Sequence, residues 1–411
     1  MVPHIREVRI RNYKSIAQIQ TSLDCFTVLV GPNGSGKSNF VDSLAFVQEC
    51  LSQSVELAFK NRGGIASVRR RSGGHPTHIA MGLTLELGQG VAADYAFKVA
   101  AKPAEQFRIA TERCVVRRLM GETHEFVLEN GKFTKEIPGI RPKVHADRLG
   151  LFAASATDEF RPVFDFLTDM RFYSIVPNRL RDLRDPDPGA FLKRDGSNAA
   201  AVLKRLSDQE NGGGKYERLC SLLAKAVKGL EKVEHRAIGQ KETLQFRQNV
   251  GLHHPGRFEA LNMSDGTLRI LGLLLALYQP GSHSVVAVEE PEATVHPGIM
   301  EMVLEVLLDA SRERQVLVTT HSPDVLDHKD LDDRHIRVVT IEQNRTLVCP
   351  LSETSRRAVR DRLYTAGELL RSDELTPDVA GARQAAQQMS LFGSPGASRT
   401  SGDGASDSSD R

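Results

Sequence analysis

The stretch Gly31-Pro32-Asn33-Gly34-Ser35-Gly36-Lys37-Ser38 decides how this chain folds. It has the pattern G-x-x-x-x-G-K-S, and it lies between an apolar run at residues 26–30 and a helix expected over residues 39–50. In a strand–loop–helix unit of this kind, backbone N–H groups of the glycine-rich turn surround phosphate oxygens. The lysine reaches the β- and γ-phosphates, and the serine hydroxyl is a ligand for Mg²⁺. The pattern therefore predicts nucleotide binding; the alternative is a glycine-rich turn without a ligand.

Composition restricts the class of the protein. The 411 residues suffice for one large or two ordinary domains, and 54 basic side chains nearly balance 52 acidic ones. Bulk charge therefore does not indicate a nucleic-acid partner. We expect no membrane association, because the longest apolar run, at residues 270–278, is too short to span a bilayer. The N-terminus lacks an apolar leader and the five cysteines are scattered, which predicts a cytoplasmic protein without disulfides or a zinc site.

Hydrophobic periodicity predicts a β-rich part followed by a helical part. The first strand begins near Val8, and the helix after the glycine-rich loop extends over residues 39–59. An antiparallel β subdomain is expected over residues 75–148, with strands at residues 78–87, 93–100, 107–119 and 125–128. Residues 150–240 are expected to form a helical insertion that includes one amphipathic helix over residues 216–234. No heptad run is long enough for a coiled-coil arm.

The remainder of the chain alternates strands and helices. Strands are expected at residues 284–288, 315–319 and 336–341, which predicts a mostly parallel sheet covered on both faces. Ligands bind at the carboxyl ends of such strands, so one site can collect the glycine-rich loop, the Glu289-Glu290 pair and His321. The composition then changes, and we expect residues 372–411 to form a disordered tail, because few large apolar residues remain to offset the ordering entropy.

Three polar clusters could complete a phosphate site. Glu289 and Glu290 end a strand, where the first acid of a P-loop enzyme binds Mg²⁺ through water and the next orients the attacking water. Ser264 precedes the apolar helix expected at residues 268–278, and a capped helix N-terminus offers N–H groups to an anion. His321 follows a further strand. Taken singly, each cluster has a plain structural alternative: a solvated strand end, a capped helix and a structural histidine.

The order of these motifs resembles the ABC-type ATPase heads of SMC/RecF-like and OLD-like AAA-family ATPases. The matching pieces are the P-loop, an S-D-G-T turn, a strand ending in E-E-P-E-x-x-x-H-P and a strand ending in T-T-H-S-P. The opening I-R-N-Y-K-S also looks like their first strand, so the resemblance covers about residues 5–345. It implies an α/β P-loop NTPase fold with an ABC-type head over residues 1–371. Residues 241–350 would carry the signature, the Walker B acid and the switch histidine.

The resemblance also implies a role for each motif. The P-loop is Walker A, the S-D-G-T turn is the signature that touches the γ-phosphate held by a second subunit, and residues 293–296 are the D-loop. Heads of this kind hold two ATP molecules between two subunits, so the chain is expected to form a homodimer on ATP. The implied ATP ligands are Gly31, Pro32, Asn33, Gly34, Ser35, Gly36, Lys37, Ser38, Asn39, Ser264, Asp265, Gly266 and Thr267. The implied Mg²⁺ ligands are Ser38 and Glu289, with Glu290 as catalytic base and His321 as switch residue.

This sequence departs from the family pattern at several points. The usual Walker B aspartate is Glu289, one methylene longer, and the signature is not the L-S-G-G-Q of transporters. A Q-loop glutamine is not evident. The 225 residues between Walker A and the signature hold no long heptads, and few residues follow residue 341, so neither a full SMC arm nor a TOPRIM nuclease domain is expected. A nuclease or toxin effector would then act in trans.

Two further partners can be expected from short motifs. Basic clusters at residues 69–71, 179–184 and 193–194 could contact DNA phosphates, although charge runs are usually solvated faces. In the tail, the stretch from Gln388 to Phe392 resembles the peptide with which bacterial proteins bind the sliding clamp, with Met389 in place of leucine. The alternative is that Met389, Leu391 and Phe392 fold back onto the protein's own head.

Two functions are compatible with this sequence. The first is an ATPase that dimerises on ATP and acts in DNA repair or anti-phage defence with a partner effector. The second is a slow ATP-gated switch that regulates a partner toxin or nuclease without itself acting on DNA. The turnover rate, and its response to DNA, would distinguish them.

Overall fold

The computed structural model describes residues 2–71, 77–103, 105–119, 121–135, 145–208, 214–251, 254–281 and 283–392. Within these ranges the strands are β1 (His4–Tyr13), β2 (Ile16–Ser22), β3 (Phe26–Val30), β4 (His78–Glu86), β5 (Val91–Ala101), β6 (Phe107–Arg118), β7 (Thr123–Glu129), β8 (Lys132–Lys135), β9 (Arg171–Tyr173), β10 (Leu230–Ile238), β11 (Lys241–Gln248), β12 (Gly256–Glu259), β13 (Val285–Glu289), β14 (Gln315–Thr320), β15 (Ile336–Glu342) and β16 (Arg345–Cys349). The helices are α1 (Lys37–Ser52), α2 (Val55–Lys60), α3 (Ile65–Val68), α4 (Gly150–Ala154), α5 (Arg161–Thr168), α6 (Pro177–Arg181), α7 (Ala199–Asp208), α8 (Lys215–Ala226), α9 (Asp265–Tyr278), α10 (Pro297–Ala310), α11 (Glu353–Arg360), α12 (Ala366–Arg371) and α13 (Val379–Gln388). None of these helices is long and apolar enough to cross a membrane.

A mostly parallel sheet holds the motifs. Its strand order is β16-β15-β3-β14-β13-β9, and every pair except β15–β16 is parallel. Alternate residues of β3 and β13 enter different cores: Val28 and Val286 pack with α7 to α10, whereas Leu29 and Ala287 pack with α1 and the second sheet. Because both faces of these strands are buried, their sequences are continuous apolar runs. The predicted sheet with both faces covered is confirmed.

A second sheet is antiparallel throughout, with the order β2-β1-β4-β5-β6-β7-β8. It contains the four strands predicted for the β subdomain, β4 to β7, and adds β1, β2 and β8. Helix α1 lies between the two sheets, since its Phe40, Leu44 and Phe46 share one core with β1 and β4 to β7. The P-loop helix is therefore held from both sides.

Two helix predictions are wrong in extent. The helix expected over residues 39–59 is divided into α1 and α2 because the Ser54 side chain accepts a hydrogen bond from the Leu57 N–H and begins a new helix. The helix expected over residues 216–234 ends at Ala226, since Gly229 adopts a φ of 79° and β10 follows. A register irregularity lies between Leu230 and Lys232. Leu230 and Val233 are both buried, and this three-residue interval imitates helical spacing.

The expected disordered tail is wrong for residues 372–392. Asp378 caps helix α13, because its side chain accepts a hydrogen bond from the Gly381 N–H. The helix packs on β2 and β16. Its buried residues Ala382 and Ala386 are small, so the helix approaches the strands closely without the large apolar residues on which the prediction depended. Residues 393–411 lie outside the described residues.

Candidate functional site

The P-loop connects β3 to α1 and is shaped by its glycines. Gly34 and Gly36 have φ angles of 79° and 104°, which side chains other than glycine rarely adopt. A Cβ at Gly31 would overlap the carbonyl oxygen of Val339, and one at Gly36 would overlap the side chain of Thr346 on β16. The glycines are thus required both by backbone conformation and by the close approach of neighbouring strands. Pro32 and Asn33 are exposed in the same loop, and the Asn39 side chain donates a 2.7 Å hydrogen bond to Ser15 Oγ.

Lys37 is the buried cation of this loop. Its side chain folds back so that Nζ donates to the carbonyl oxygens of Gly31 (2.7 Å) and Pro32 (3.1 Å), and the residue is 5% exposed. Burial lowers the pKa of the ammonium group, while the carboxylates of Glu290 and Glu292 oppose that effect. A desolvated ammonium in a glycine-rich loop is a strong attractor for phosphate oxygens.

The carboxyl ends of three neighbouring strands bring the predicted residues together. Val30 pairs with Thr320, and Thr319 pairs with Glu289, so β3, β14 and β13 end side by side. Glu290 follows β13 with a positive φ of 46°, a strained conformation held by hydrogen bonds from its N–H to the carbonyl and hydroxyl oxygens of Thr319. Backbone strain of this kind concentrates at functional sites.

His321 lies between two carboxylates. Its Nδ1 is 3.6 Å from Glu290 Oε1 and 3.7 Å from Glu292 Oε1. Glu292 in turn accepts hydrogen bonds from Thr320 Oγ1 (2.6 Å) and from the His321 N–H (3.3 Å). Its other oxygen, Oε2, is buried and has no hydrogen-bond partner among the residues that the structure describes. Glu292 therefore positions the loop of His321, a role that the sequence did not reveal although it is the third acid of E-E-P-E.

The signature turn forms the N-terminus of α9. Ser264 accepts a hydrogen bond from the Thr267 N–H (3.2 Å) and caps the helix, while Ser264 and Asp265 remain exposed. Arg181 on α6 donates to the Met263 carbonyl (2.8 Å) and pairs with Asp265 (2.5 Å). A Cβ at Gly266 would overlap the carbonyl oxygen of Thr294 in the D-loop. The signature is thus rigidly held and faces solvent.

Arg269 on α9 links the signature helix to the strand-end acids. Its guanidinium donates to the Glu290 carbonyl (3.3 Å), and burial lowers its pKa while the Glu290, Glu292 and Asp265 carboxylates oppose the effect. The sequence predicted neither contact: Arg181 belongs to the basic cluster at residues 179–184 that was expected to contact DNA, and an arginine gives no local sign of its partner.

Oxygen donors suitable for Mg²⁺ surround a cavity beside the P-loop. The cavity, of about 460 Å³, is lined by Ser38, Asp42 and Arg194 among others. Ser38 is exposed at the start of α1, and Arg194 Nη2 donates a 2.7 Å hydrogen bond to Glu289 Oε1. A hydroxyl and a carboxylate are hard ligands of the kind that Mg²⁺ takes together with phosphate oxygens, so the residues fit the ion. Within the described residues no group of three or more His, Cys, Asp or Glu side chains could hold a metal by itself.

The basic clusters expected to contact DNA are largely paired within the protein. Ion pairs join Arg179 to Asp195, Arg181 to Asp265, Arg184 to Asp182, Lys193 to Asp187 and Arg194 to Glu289. In the first cluster, Arg70 donates to the backbone carbonyls of Ser15 and Asn344. The named basic side chains at residues 179–184 and 193–194 are thus each paired with an acid of the same chain, although Arg179, Lys193 and Arg194 stay about half exposed.

The segment expected to bind the sliding clamp packs on the head instead. Met389 is 7% exposed, Leu391 and Phe392 are half-buried, and the carbonyl oxygens of Ser390 and Phe392 accept hydrogen bonds from Arg9 and Arg113. The alternative in which this segment folds back is the one observed. The segment lies across the face of the antiparallel sheet, where Leu391 is beside Gly82 on β4 and the donors Arg9 and Arg113 belong to β1 and β6.

Two family models match parts of this chain. A model described as "AAA domain, putative AbiEii toxin, Type IV TA system" matches residues 143–327, and one described as "AAA ATPase domain" matches residues 4–109. A stretch of 44 residues is 46% identical to the chromosome partition protein Smc of Methanococcus voltae; it covers 10% of this chain and 4% of that protein.

Solved structures show the same fold. The chain is similar to an Smc head crystallised with the C-winged helix domain of ScpA, at 14% identity and a TM-score of 0.51 over 85% of this chain and 99% of that one. It is also similar to the Smc head of Pyrococcus furiosus with an extended coiled coil, bound to the C-terminal domain of ScpA, at 12% identity and a TM-score of 0.52 over 88% and 100%. At these identities the likeness concerns the fold.

Proposed function

We propose that this chain, an ABC-type ATPase head that resembles those of SMC and RecF-like proteins, forms a homodimer on ATP and couples hydrolysis to an anti-phage or DNA-repair task. The effector, a nuclease or a toxin, would be supplied by a partner protein. The observation that carries this proposal is the adjacency of β3, β14 and β13, whose carboxyl ends hold the P-loop, His321 and the Glu289-Glu290 pair on one edge.

Each residue at this edge has a task in the proposed reaction. Lys37 would exchange its bonds to the Gly31 and Pro32 carbonyls for the β- and γ-phosphates, since both carbonyls lie within the loop that surrounds the nucleotide. Glu290 would accept a hydrogen bond from the attacking water, and His321 would orient the γ-phosphate. Ser38 and Glu289 would hold Mg²⁺, which supplies charge neutralisation between the phosphates.

The exposure of the signature supports the proposed dimerisation. Ser264 caps α9, and Ser264 and Asp265 face solvent at the helix end, where N–H groups attract an anion. We infer that this turn completes the nucleotide site of the second copy. Two identical sites would then form across a two-fold axis, as closed symmetry requires.

The proposed biological task rests on the description of a matching family model. The model that matches residues 143–327 is described with a putative AbiEii toxin and a type IV toxin–antitoxin system, which supports defence over repair. The second candidate, a slow ATP-gated switch, is favoured by the ion pair between Arg194 and Glu289, because a Walker B acid already engaged by a cation would slow turnover. Both candidates place the protein among ATPases that signal to a partner.

One experiment tests the proposal. Purified protein should hydrolyse ATP in a manner that requires Mg²⁺ and is abolished by Lys37→Ala. Adding duplex DNA, DNA ends or single strands should raise turnover if the head acts on DNA, and should leave it unchanged if the head is a switch. Absence of ATP binding in the native protein would contradict the proposed function.

A further inference from the structure

The acid at the Walker B position is covered by an arginine of the same chain. Arg194 Nη2 donates a 2.7 Å hydrogen bond to Glu289 Oε1, and Arg194 Nη1 lies 3.8 Å from Asp42 Oδ1. The Glu289 side chain is 11% exposed, whereas that of Arg194 is 47% exposed. Among the described residues, Arg194 is the hydrogen-bond partner of the Glu289 carboxylate. The guanidinium side of this ion pair is therefore about half exposed to solvent.

The backbone of Arg194 is fixed where the guanidinium can reach this acid. The Ser174 N–H donates to the Arg194 carbonyl (2.9 Å) and the Val176 N–H donates to the Asp195 carbonyl (3.1 Å), directly after β9. Because β9 is the parallel neighbour of β13, the anchored segment lies beside the end of the strand that carries Glu289. Movement in this region would then be confined to the long arginine side chain.

Asp42, the second acid near Arg194, already has its own partners. It accepts hydrogen bonds from Tyr13 Oη (2.6 Å) and Arg62 Nε (3.1 Å), and Lys14 Nζ lies 2.6 Å from it. Burial would favour the neutral acid, but Arg62, Lys14 and Tyr13 outweigh it and hold the pKa of Asp42 at about 2. The carboxylate of Asp42 stays charged and satisfied without Arg194. Glu289, in contrast, would lose its hydrogen-bond partner if the guanidinium left.

We infer that Arg194 is a positioning residue that neutralises Glu289 until Mg²⁺·ATP arrives, so that the metal must displace the guanidinium from the acid. This inference rests on the proposed function, because it assigns Glu289 to the metal. A guanidinium bound to a carboxylate oxygen competes with the metal for that oxygen. The competition disappears when the positive charge of the guanidinium is removed. Arg194 also borders the cavity that contains Ser38, so the displaced guanidinium has room beside the nucleotide.

The test measures metal dependence by binding, in protein that carries Glu290→Gln to prevent hydrolysis. Fluorescently labelled ATP is titrated with Mg²⁺, and the half-saturating Mg²⁺ concentration is compared with and without Arg194→Ala. We expect this concentration to fall about three- to tenfold, the range for a half-exposed, charge-assisted pair. Arg194→Gln, which keeps a hydrogen-bond donor and most of the side chain, should lower it as well. Arg194→Lys, which keeps the charge, should stay near the parent value.

Lys193→Ala is the matched control. The Lys193 ammonium pairs with Asp187 at 2.7 Å and contacts neither Glu289 nor Asp42. The half-saturating Mg²⁺ concentration of this variant should therefore equal that of the parent protein. An unchanged or increased Mg²⁺ requirement in both Arg194→Ala and Arg194→Gln, with melting temperatures like the parent, would overturn the inference. If instead the parent protein binds no labelled ATP at any Mg²⁺ concentration, and its binding signal is the same as that of the Lys37→Ala variant, the proposed function itself fails.

Discussion

The imidazole of His321 and the carboxylate of Glu290 lie side by side, with Nδ1 3.6 Å from Oε1, although 30 residues separate them in the chain. Their strands, β14 and β13, are parallel neighbours, and the backbone N–H of Glu290 is bonded to Thr319 at the end of β14. The two side chains therefore lie at the adjoining ends of two paired strands. We expect a γ-phosphate bound at the P-loop to contact both groups.

The first prediction concerns hydrolysis. Glu290→Gln should leave ATP binding intact while turnover falls by about two orders of magnitude or more, since the amide cannot take a proton from the water. Steady-state phosphate release and labelled-ATP binding measure the two effects. Lys37→Ala should instead remove binding itself. A Gln variant that hydrolyses ATP like the native protein would assign the base to another residue.

The second prediction concerns the composite site. Glu290→Gln protein should have the mass of a dimer with ATP and a smaller mass without it, as measured by light scattering. Adding Ser264→Arg should prevent this dimer, because Ser264 is an exposed helix cap and a long cation there would clash with the opposite subunit. If ATP changes the mass of neither the Glu290→Gln protein nor the double variant, the composite site is contradicted.

The third prediction compares two glycines of one loop. Gly36→Ala combines a positive φ with overlap on Thr346, which is buried and bonded to Ser15 Oγ and the Ser35 carbonyl. We expect it to lower the free energy of unfolding by about 2–4 kcal/mol and to abolish ATP binding. Gly34→Ala has no atom within 4 Å of its Cβ, so it should cost about 1 kcal/mol. Urea unfolding tests both; equal costs would contradict the steric argument.

The fourth prediction concerns pH. Burial raises the pKa of Glu112 from its ordinary 4.5 to about 7, against hydrogen bonds from the N–H groups of Leu151 and Gly150 and from Tyr95 Oη. Folding therefore favours the protonated acid. Its contribution to stability is complete below about pH 4.5 and is lost as pH rises through about 7, by up to about 3 kcal/mol.

Glu112→Gln isolates this effect, because the amide does not titrate whereas every other group is retained. The difference in free energy of unfolding between the native protein and the variant should decrease from pH 4.5 to pH 8. Urea denaturation at a series of pH values measures it. A constant difference across that range would mean that Glu112 is charged in the folded protein throughout.

Much of the fold could be predicted because its signals are local. The P-loop follows a five-residue strand that is wholly buried, and a run of this kind is visible in the sequence. The strand ending at Glu289 and the cap at Ser264 carry equally local signals. Roles for these residues remain predictions, but the meeting of the P-loop and Glu289 at one sheet edge followed from the expectation of parallel strands.

Other features depend on contacts that no local pattern encodes. The division between α8 and β10 follows from a glycine with positive φ and a strand irregularity, while the docking of α13 depends on small alanines that fit against β2 and β16. Arg194 and Glu289 are 95 residues apart, and a charged side chain gives no sign of its partner at that distance.

The sequence by itself thus determined the strand, the glycine-rich loop and the helix that we expect to bind phosphate, because loop geometry and strand burial are properties of short stretches. Tertiary structure alone decided which charges are paired, since the order of strands in the sheet brings β9 beside β13 and Arg194 onto Glu289. Charged side chains pair when they lie close together in space, and only the folded chain defines that distance.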